Sequence, residues 1–142
     1  MTINTASGAG GNGDINVNAS VSGTAGSLTL NAVRNITLAS GVGITLSGAG
    51  NSITMNAAGA GGQASATAGQ ITLNNSNALS TNHGNIALNA GTLTTPGVVS
   101  LNSATLSSNG GDITLSNMPS AAGGAGSTSG SSQGVYLFNT TL

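Results

Sequence analysis

Four side chains could do acid–base or charge chemistry in this chain of 142 residues: Asp14, Arg34, His83 and Asp112. Two carboxyls are the equipment of glycoside cleavage, where one protonates the leaving oxygen and the other attacks the sugar or activates water. Both, however, stand in the same local phrase, Gly13-Asp14-Ile15 and Gly111-Asp112-Ile113, which reads as a repeated bend. No further acids or bases accompany them. His83 sits in a polar turn, Ser80-Thr81-Asn82-His83-Gly84, with no acid nearby in sequence to orient its ring. Arg34 lies just before an apolar triplet and either pairs with Asp14 or Asp112 or points to solvent. Serine is abundant, but without a base and an orienting acid none is a credible nucleophile. Gly10-Gly11-Asn12-Gly13-Asp14-Ile15 approximates a calcium-binding repeat, one residue out of register and without tandem copies. Calcium requires six to eight oxygens, carboxylates among them. On these grounds the chain is expected to be non-enzymatic, with no catalytic, cofactor-binding or metal residue.

What surrounds these residues is a recurrent phrase: apolar, small, apolar, then often Asn. It runs Ile15-Asn16-Val17-Asn18, Leu28-Thr29-Leu30-Asn31, Ile36-Thr37-Leu38-Ala39, Ile44-Thr45-Leu46-Ser47 and Ile53-Thr54-Met55-Asn56. It returns as Ile71-Thr72-Leu73-Asn74, Ile86-Ala87-Leu88-Asn89, Val99-Ser100-Leu101-Asn102 and Ile113-Thr114-Leu115-Ser116. Alternation with period two describes a short strand with one buried face. Gly, Asn and Ser crowd the gaps, where tight bends and positive φ are needed. No window carries a helical period, and glycine is too dense for a stable helix.

The triplets at Leu28, Ile36, Ile44 and Ile53 are eight or nine residues apart. Further on, the series Ile71, Leu79, Ile86, Leu93, Val99, Leu106 and Ile113 continues at six to eight. Each step is one strand plus one bend, and three steps make a coil of about 20–25 residues, the scale of solenoid repeats. The expected fold is all-β, a parallel β-helix (β-solenoid) of about six short coils, forming a rod of about 30 Å. One coil cannot bury its own apolar face, so neighbours must stack. Asn18, Asn31, Asn56, Asn74, Asn89 and Asn102 either stack as an amide ladder along the rod or each serve their own turn. The repeats are expected over 1–118, with a Gly/Ala loop at 57–69. A Gly/Ser-rich loop or linker follows at 119–134. Val135-Tyr136-Leu137-Phe138-Asn139 then opens a terminal segment, 135–142, which caps the core, pairs along the rod or pairs with another chain.

Composition narrows function. Only 2% of residues are charged, against about 25% in ordinary domains. Phosphate neutralisation needs many Lys and Arg, so nucleic acid is not an expected partner. Absence of cysteine rules out disulfides and thiolate metal sites. No stretch approaches the ~20 apolar residues of a membrane-spanning helix, and Met1-Thr2-Ile3-Asn4 lacks the pattern of a secretion signal. Tyr136 and Phe138 are the only aromatic residues, which suits a thin aliphatic core better than a globular one.

Gly111-Asp112-Ile113-Thr114-Leu115 and Gly84-Asn85-Ile86-Ala87-Leu88 match the phrase G-[DN]-I-x-L, and Gly13-Asp14-Ile15-Asn16-Val17 matches it with a final Val. Over roughly residues 13–118 the chain resembles the repeat region of filamentous haemagglutinin-like exoproteins of bacterial two-partner secretion. The N-P-N-G type signature of that family's secretion domain is missing. The resemblance implies a right-handed coil, export to the bacterial cell surface, and a role in adhesion or surface structure. Near-neutral composition and exposed solenoid ends add an expectation of self-association, end-to-end or lateral, or of continuation into a longer rod. A glycan or host-surface ligand is compatible with this role. The rival reading rests on Thr29, Thr37, Thr45, Thr54, Thr72 and Thr114, each central in its triplet: a flat Thr-rich face presented to ice or glycan. A solvated strand position favours Thr in any case.

Overall fold

The computed structural model describes residues 1–5, 13–58, 69–91, 97–117 and 134–142. Among them the chain is all-β, with fourteen strands and no helix; no helix is therefore long and apolar enough to cross a membrane. The strands are β1 (Thr2–Asn4), β2 (Ile15–Val17), β3 (Val21–Gly23), β4 (Leu28–Ala32), β5 (Asn35–Leu38), β6 (Gly43–Ala49) and β7 (Ile53–Ala57). The remainder are β8 (Gln70–Asn74), β9 (Ala78–Asn82), β10 (Ile86–Ala90), β11 (Val98–Asn102), β12 (Thr105–Ser107), β13 (Ile113–Ser116) and β14 (Gly134–Phe138).

All strand pairs are parallel and fall into three sheets. The first has the order β1-β4-β7-β10-β13, the second β14-β11-β8-β5-β2, and the third β12-β9-β6-β3. Consecutive strands therefore visit the three sheets in rotation, and every third strand pairs. Among the described residues, four full rounds are followed by a fifth made of β13, β14 and a one-residue parallel bridge, Thr141 to Thr105. That is fewer than the six expected from repeat length, because rounds differ in size. The partner of Ile15 is Ile36, 21 residues on, whereas that of Val99 is Val135, 36 residues on.

All nine triplets lie on strands, and Leu79 and Leu106 seed β9 and β12; Leu93 lies outside the described residues. Register stacks like on like. One inward row is Ile15, Ile36, Ile71, Val99 and Val135. Another is Ile3, Leu30, Met55, Leu88 and Leu115. A third, from the third sheet, is Val21, Ile44, Leu79 and Leu106. These rows merge into one hydrophobic cluster, in which each fully covered Ile or Leu contributes about 1.5–3 kcal/mol.

The bends are also in register. Asn75, Ser103 and Asn139 follow the paired residues Asn74, Asn102 and Phe138 and all take positive φ, between 46° and 54°. At the bend into the first sheet the equivalent residues are Gly50, His83 and Gly110 with φ of 75°, 62° and 112°. The same left-handed corner is thus solved twice by glycine and once by histidine.

Segment boundaries shift slightly. Ala57 closes β7 and both Ala57 and Ala58 are fully buried, so the Gly/Ala loop expected from 57 starts later; residues 59–68 lie outside the described residues. Residues 119–133 of the expected linker also lie outside them, while Gly134 opens β14. Of the three fates open to the terminal segment, β14 takes the place along the second sheet, pairing with β11.

Candidate functional site

The phrase G-[DN]-I-x-L has a physical cause at each place. A Cβ on Gly111 would overlap the Gly84 carbonyl oxygen, and one on Gly84 would overlap that of Asn51, so these two entrances have room only for glycine. The next residue offers a side-chain oxygen to the N–H one round later. Ser52 N–H donates to Ser27 Oγ at 2.9 Å, Asn85 N–H to Ser52 Oγ at 3.0 Å, and Asp112 N–H to Asn85 Oδ1 at 2.9 Å. In the second sheet Asn35 N–H donates to Asp14 Oδ1 at 3.1 Å and Gln70 N–H to Asn35 Oδ1 at 3.0 Å. Asp14 and Asp112 are members of these entrance ladders. Asp14 belongs to the first round and Asp112 to the last, about 19 Å apart along the stack at four strand spacings. The fold does not bring them together as a carboxyl pair.

Arg34 selects Asp14 from its two options. Its Nε donates to Oδ1 at 2.8 Å and Nη2 to Oδ2 at 2.5 Å, a two-pronged contact. The Arg34 guanidinium holds the Asp14 carboxyl below the usual carboxylate range; partial burial pushes the other way, and the Asn35 N–H assists the lowering. Asp14 reciprocally raises Arg34. His83 is a corner residue: its Nδ1 lies 2.7 Å from Asn82 Oδ1, and its ring edge lies against Gly110 of the following round. Among the described residues no three His, Cys, Asp or Glu side chains gather where a metal could be held.

The amide question divides by sheet. On the first sheet Asn31 Nδ2 donates to Asn4 Oδ1 at 2.8 Å, Asn56 to Asn31 at 2.8 Å, and Asn89 to Asn56 at 2.9 Å. This is a directed ladder, each amide donating to the round before it, with Ser116 in register above Asn89. On the second sheet the Asn102 side chain serves its own turn, while at Asn74 it is the backbone N–H that enters a turn. Asn74 N–H donates to Asn77 Oδ1, and Asn102 Oδ1 accepts from Ser103 Oγ. Asn4 joined the ladder unannounced by the sequence, since Thr2-Ile3-Asn4 carries a single apolar residue. Asn77, fully buried and donating to the Ala39 and Val42 carbonyls at 2.7 and 2.9 Å, was equally invisible.

The outward Thr residues separate into files. Thr2, Thr29, Thr54 and Thr114 share one file on the first sheet, with Ala87 between the last two. Thr37 and Thr72 are neighbours on the second sheet, and Thr45 lies on the third between Ser22 and Ser80.

The two ends form the remaining surface. Every exposed large hydrophobic side chain among the described residues is in the first or last round: Met1 and Ile3 at one end, Tyr136, Leu137, Phe138 and Leu142 at the other. Beside Ile3 and Val21 the first round leaves a half-open apolar hollow of about 340 Å³. Comparison with protein-family models, with curated proteins and with solved structures returns no match.

Proposed function

We propose that this chain is a non-enzymatic structural module, a parallel β-helix acting as a rod or filament segment of a secreted bacterial surface protein. The right-handed coil, the cell-surface location and the adhesive role follow the resemblance of its G-[DN]-I-x-L phrases to filamentous haemagglutinin-like repeats. One observation carries the reading: among the described residues, large apolar side chains are exposed only in the first and last rounds, so these rounds are what the molecule offers to partners. Parallel edges left open are templates for pairing with further chain. Charge does little to blunt them, since Asp14 is already neutralised by Arg34 and Asp112 is the other acid. Negative-stain electron microscopy of the purified chain tests it. Filaments or end-joined rods one molecule wide are expected; uniform single short particles at high concentration would overturn the filament reading.

A second reading has one observation in its favour, the file of Thr2, Thr29, Thr54 and Thr114. Spaced at the strand repeat except where Ala87 stands between Thr54 and Thr114, these hydroxyls and methyls make a face for ice or a glycan. Thermal hysteresis abolished by Thr29→Tyr with Thr54→Tyr is the expected signature for ice, and a parent chain without hysteresis removes it.

A further inference from the structure

We propose that the joint between copies is head-to-tail and in register: the last round of one chain docks against the first round of the next, continuing all three sheets. The inference rests on the filament reading and specifies its partner, a second copy of this chain, and the surface used. At the top, β13 and β14 present Leu115, Val135, Leu137 and, one residue beyond the Thr141 bridge, Leu142. At the bottom, β1, β2 and β3 present Ile3, Val17 and Val21, and the buried Ile15 lines the hollow between them.

The inward rows match across such a joint. Ile3 begins the row that Leu115 ends, Ile15 begins the row that Val135 ends, and Val21 begins the row of Ile44, Leu79 and Leu106. Placing the next copy one strand spacing further sets Leu115 under Ile3, Val135 under Ile15 and Leu142 under Val21. The apolar hollow of the first round then receives the half-covered side chains of the last. No new kind of contact is needed, because the joint repeats the round-to-round interface already made within the chain.

Direction favours this joint over the symmetric alternative. Two first rounds meeting face to face would run their strands antiparallel, whereas every pair within the chain is parallel. It would also oppose two Asn4 side chains at the starts of two ladders whose amides all donate the same way. A head-to-tail contact keeps both directions, and being heterologous it does not close, so its product is a filament rather than a dimer.

The chain has no cysteine, which gives a clean test. Thr2 and Thr114 are exposed and occupy the same outward file. Across the joint their Cα atoms would lie about 4.8 Å apart, within the ~4.4–6.8 Å span of a disulfide. Inside one chain they are four rounds apart and cannot bridge. Oxidised Thr2→Cys/Thr114→Cys protein is expected to give a ladder of covalent oligomers on a non-reducing gel, at least tenfold more than Thr2→Cys/Tyr136→Cys, which places the thiols on different sheets. Leu115→Lys, at a half-covered position of the last round, is expected to leave far-ultraviolet circular dichroism unchanged and abolish filaments. Filaments without the Thr2–Thr114 bridge would overturn this joint while leaving self-assembly standing. Covalent dimers from Thr2→Cys alone would replace it with a face-to-face contact. A monomer at every concentration would overturn both the joint and the filament reading.

Discussion

The middle rounds and the end rounds are written in the same phrase and differ in what lies above and below them. Leu73, Leu101 and Leu137 are successive members of one inward row. The first two are 0% and 1% exposed, the third 49%. Ile3 and Leu30 differ in the same way at the other end, 39% against 2%. Burial at these places therefore comes from the neighbouring rounds, as expected where each repeat contacts only the next, whereas Ile15 is already covered in the first round, at 9% exposure. Formal charge follows the same division, with none between Asn35 and Gly111.

The largest expected effect breaks the comparison at its centre. Leu73→Ala should cost about 2–5 kcal/mol, the range for a leucine removed from a closed core. Leu137→Ala should cost less than about 1 kcal/mol in dilute protein, because half of that side chain is already in water. Urea unfolding at low concentration measures both. Equal losses would mean that the last round is covered as well as the middle ones. Repeating the Leu137→Ala measurement at filament-forming concentration sharpens the contrast, since a docked copy should raise its cost toward that of Leu73→Ala.

Next in size is the amide ladder. Asn56→Ala removes a side chain that donates to Asn31 and accepts from Asn89, leaving one acceptor and one donor without their partners in a partly buried file. A loss of about 1–3 kcal/mol is expected. Asn4→Ala removes only the exposed first member and should cost about 0.5 kcal/mol, near the floor for a single hydrogen bond. Thermal denaturation of the two variants side by side checks the ordering; a larger loss for Asn4→Ala would show that the ladder is not shared along its length.

The sequence carried the strands well because Ile-x-Leu alternation and row stacking have one cause: the same two places in every round face the core. It carried β1 and β3 poorly. Thr2-Ile3-Asn4 and Val21-Ser22-Gly23 each hold one apolar residue, and an end strand covered on one side has less apolar surface to bury. The Asn residues were half legible. Asn31 and Asn74 occupy the same place in their triplets, but the chain after Asn31 continues straight into Ala32, whereas Asn75 turns with φ of 53°. The bend draws the Asn74 N–H onto Asn77 Oδ1, and the strand lets the Asn31 amide stack. Asn77 has no periodic signal, because its role is to satisfy carbonyls 35 and 38 residues earlier in sequence. The ends, where the functional reading rests, are legible as an absence of charge and as the apolar segment Val135-Tyr136-Leu137-Phe138, but which of its residues stay uncovered is not legible.

The smallest expected effect belongs to the ion pair on the lower rounds, and its sign is set by Asp14. Arg34 lowers the carboxyl's pKa in the folded chain, so the pair's contribution is fully present above the ordinary carboxylate pKa of about 4. It is lost as pH falls through the lowered folded value. Asp14→Asn is the right comparison, because an amide oxygen still accepts the Asn35 N–H while the charge on Arg34 goes unmatched. Wild type should melt slightly above Asp14→Asn at pH 7, and the gap should close as the solution is acidified through the lowered folded value of Asp14. Every other titrating group is common to both proteins and drops out of the difference. Salt should also shrink the gap at neutral pH, since the pair is partly open to solvent. A gap that persists in acid would assign the effect to packing of the Asp14 side chain at the entrance of β2, and would remove charge from what distinguishes the lower end from the middle of the stack.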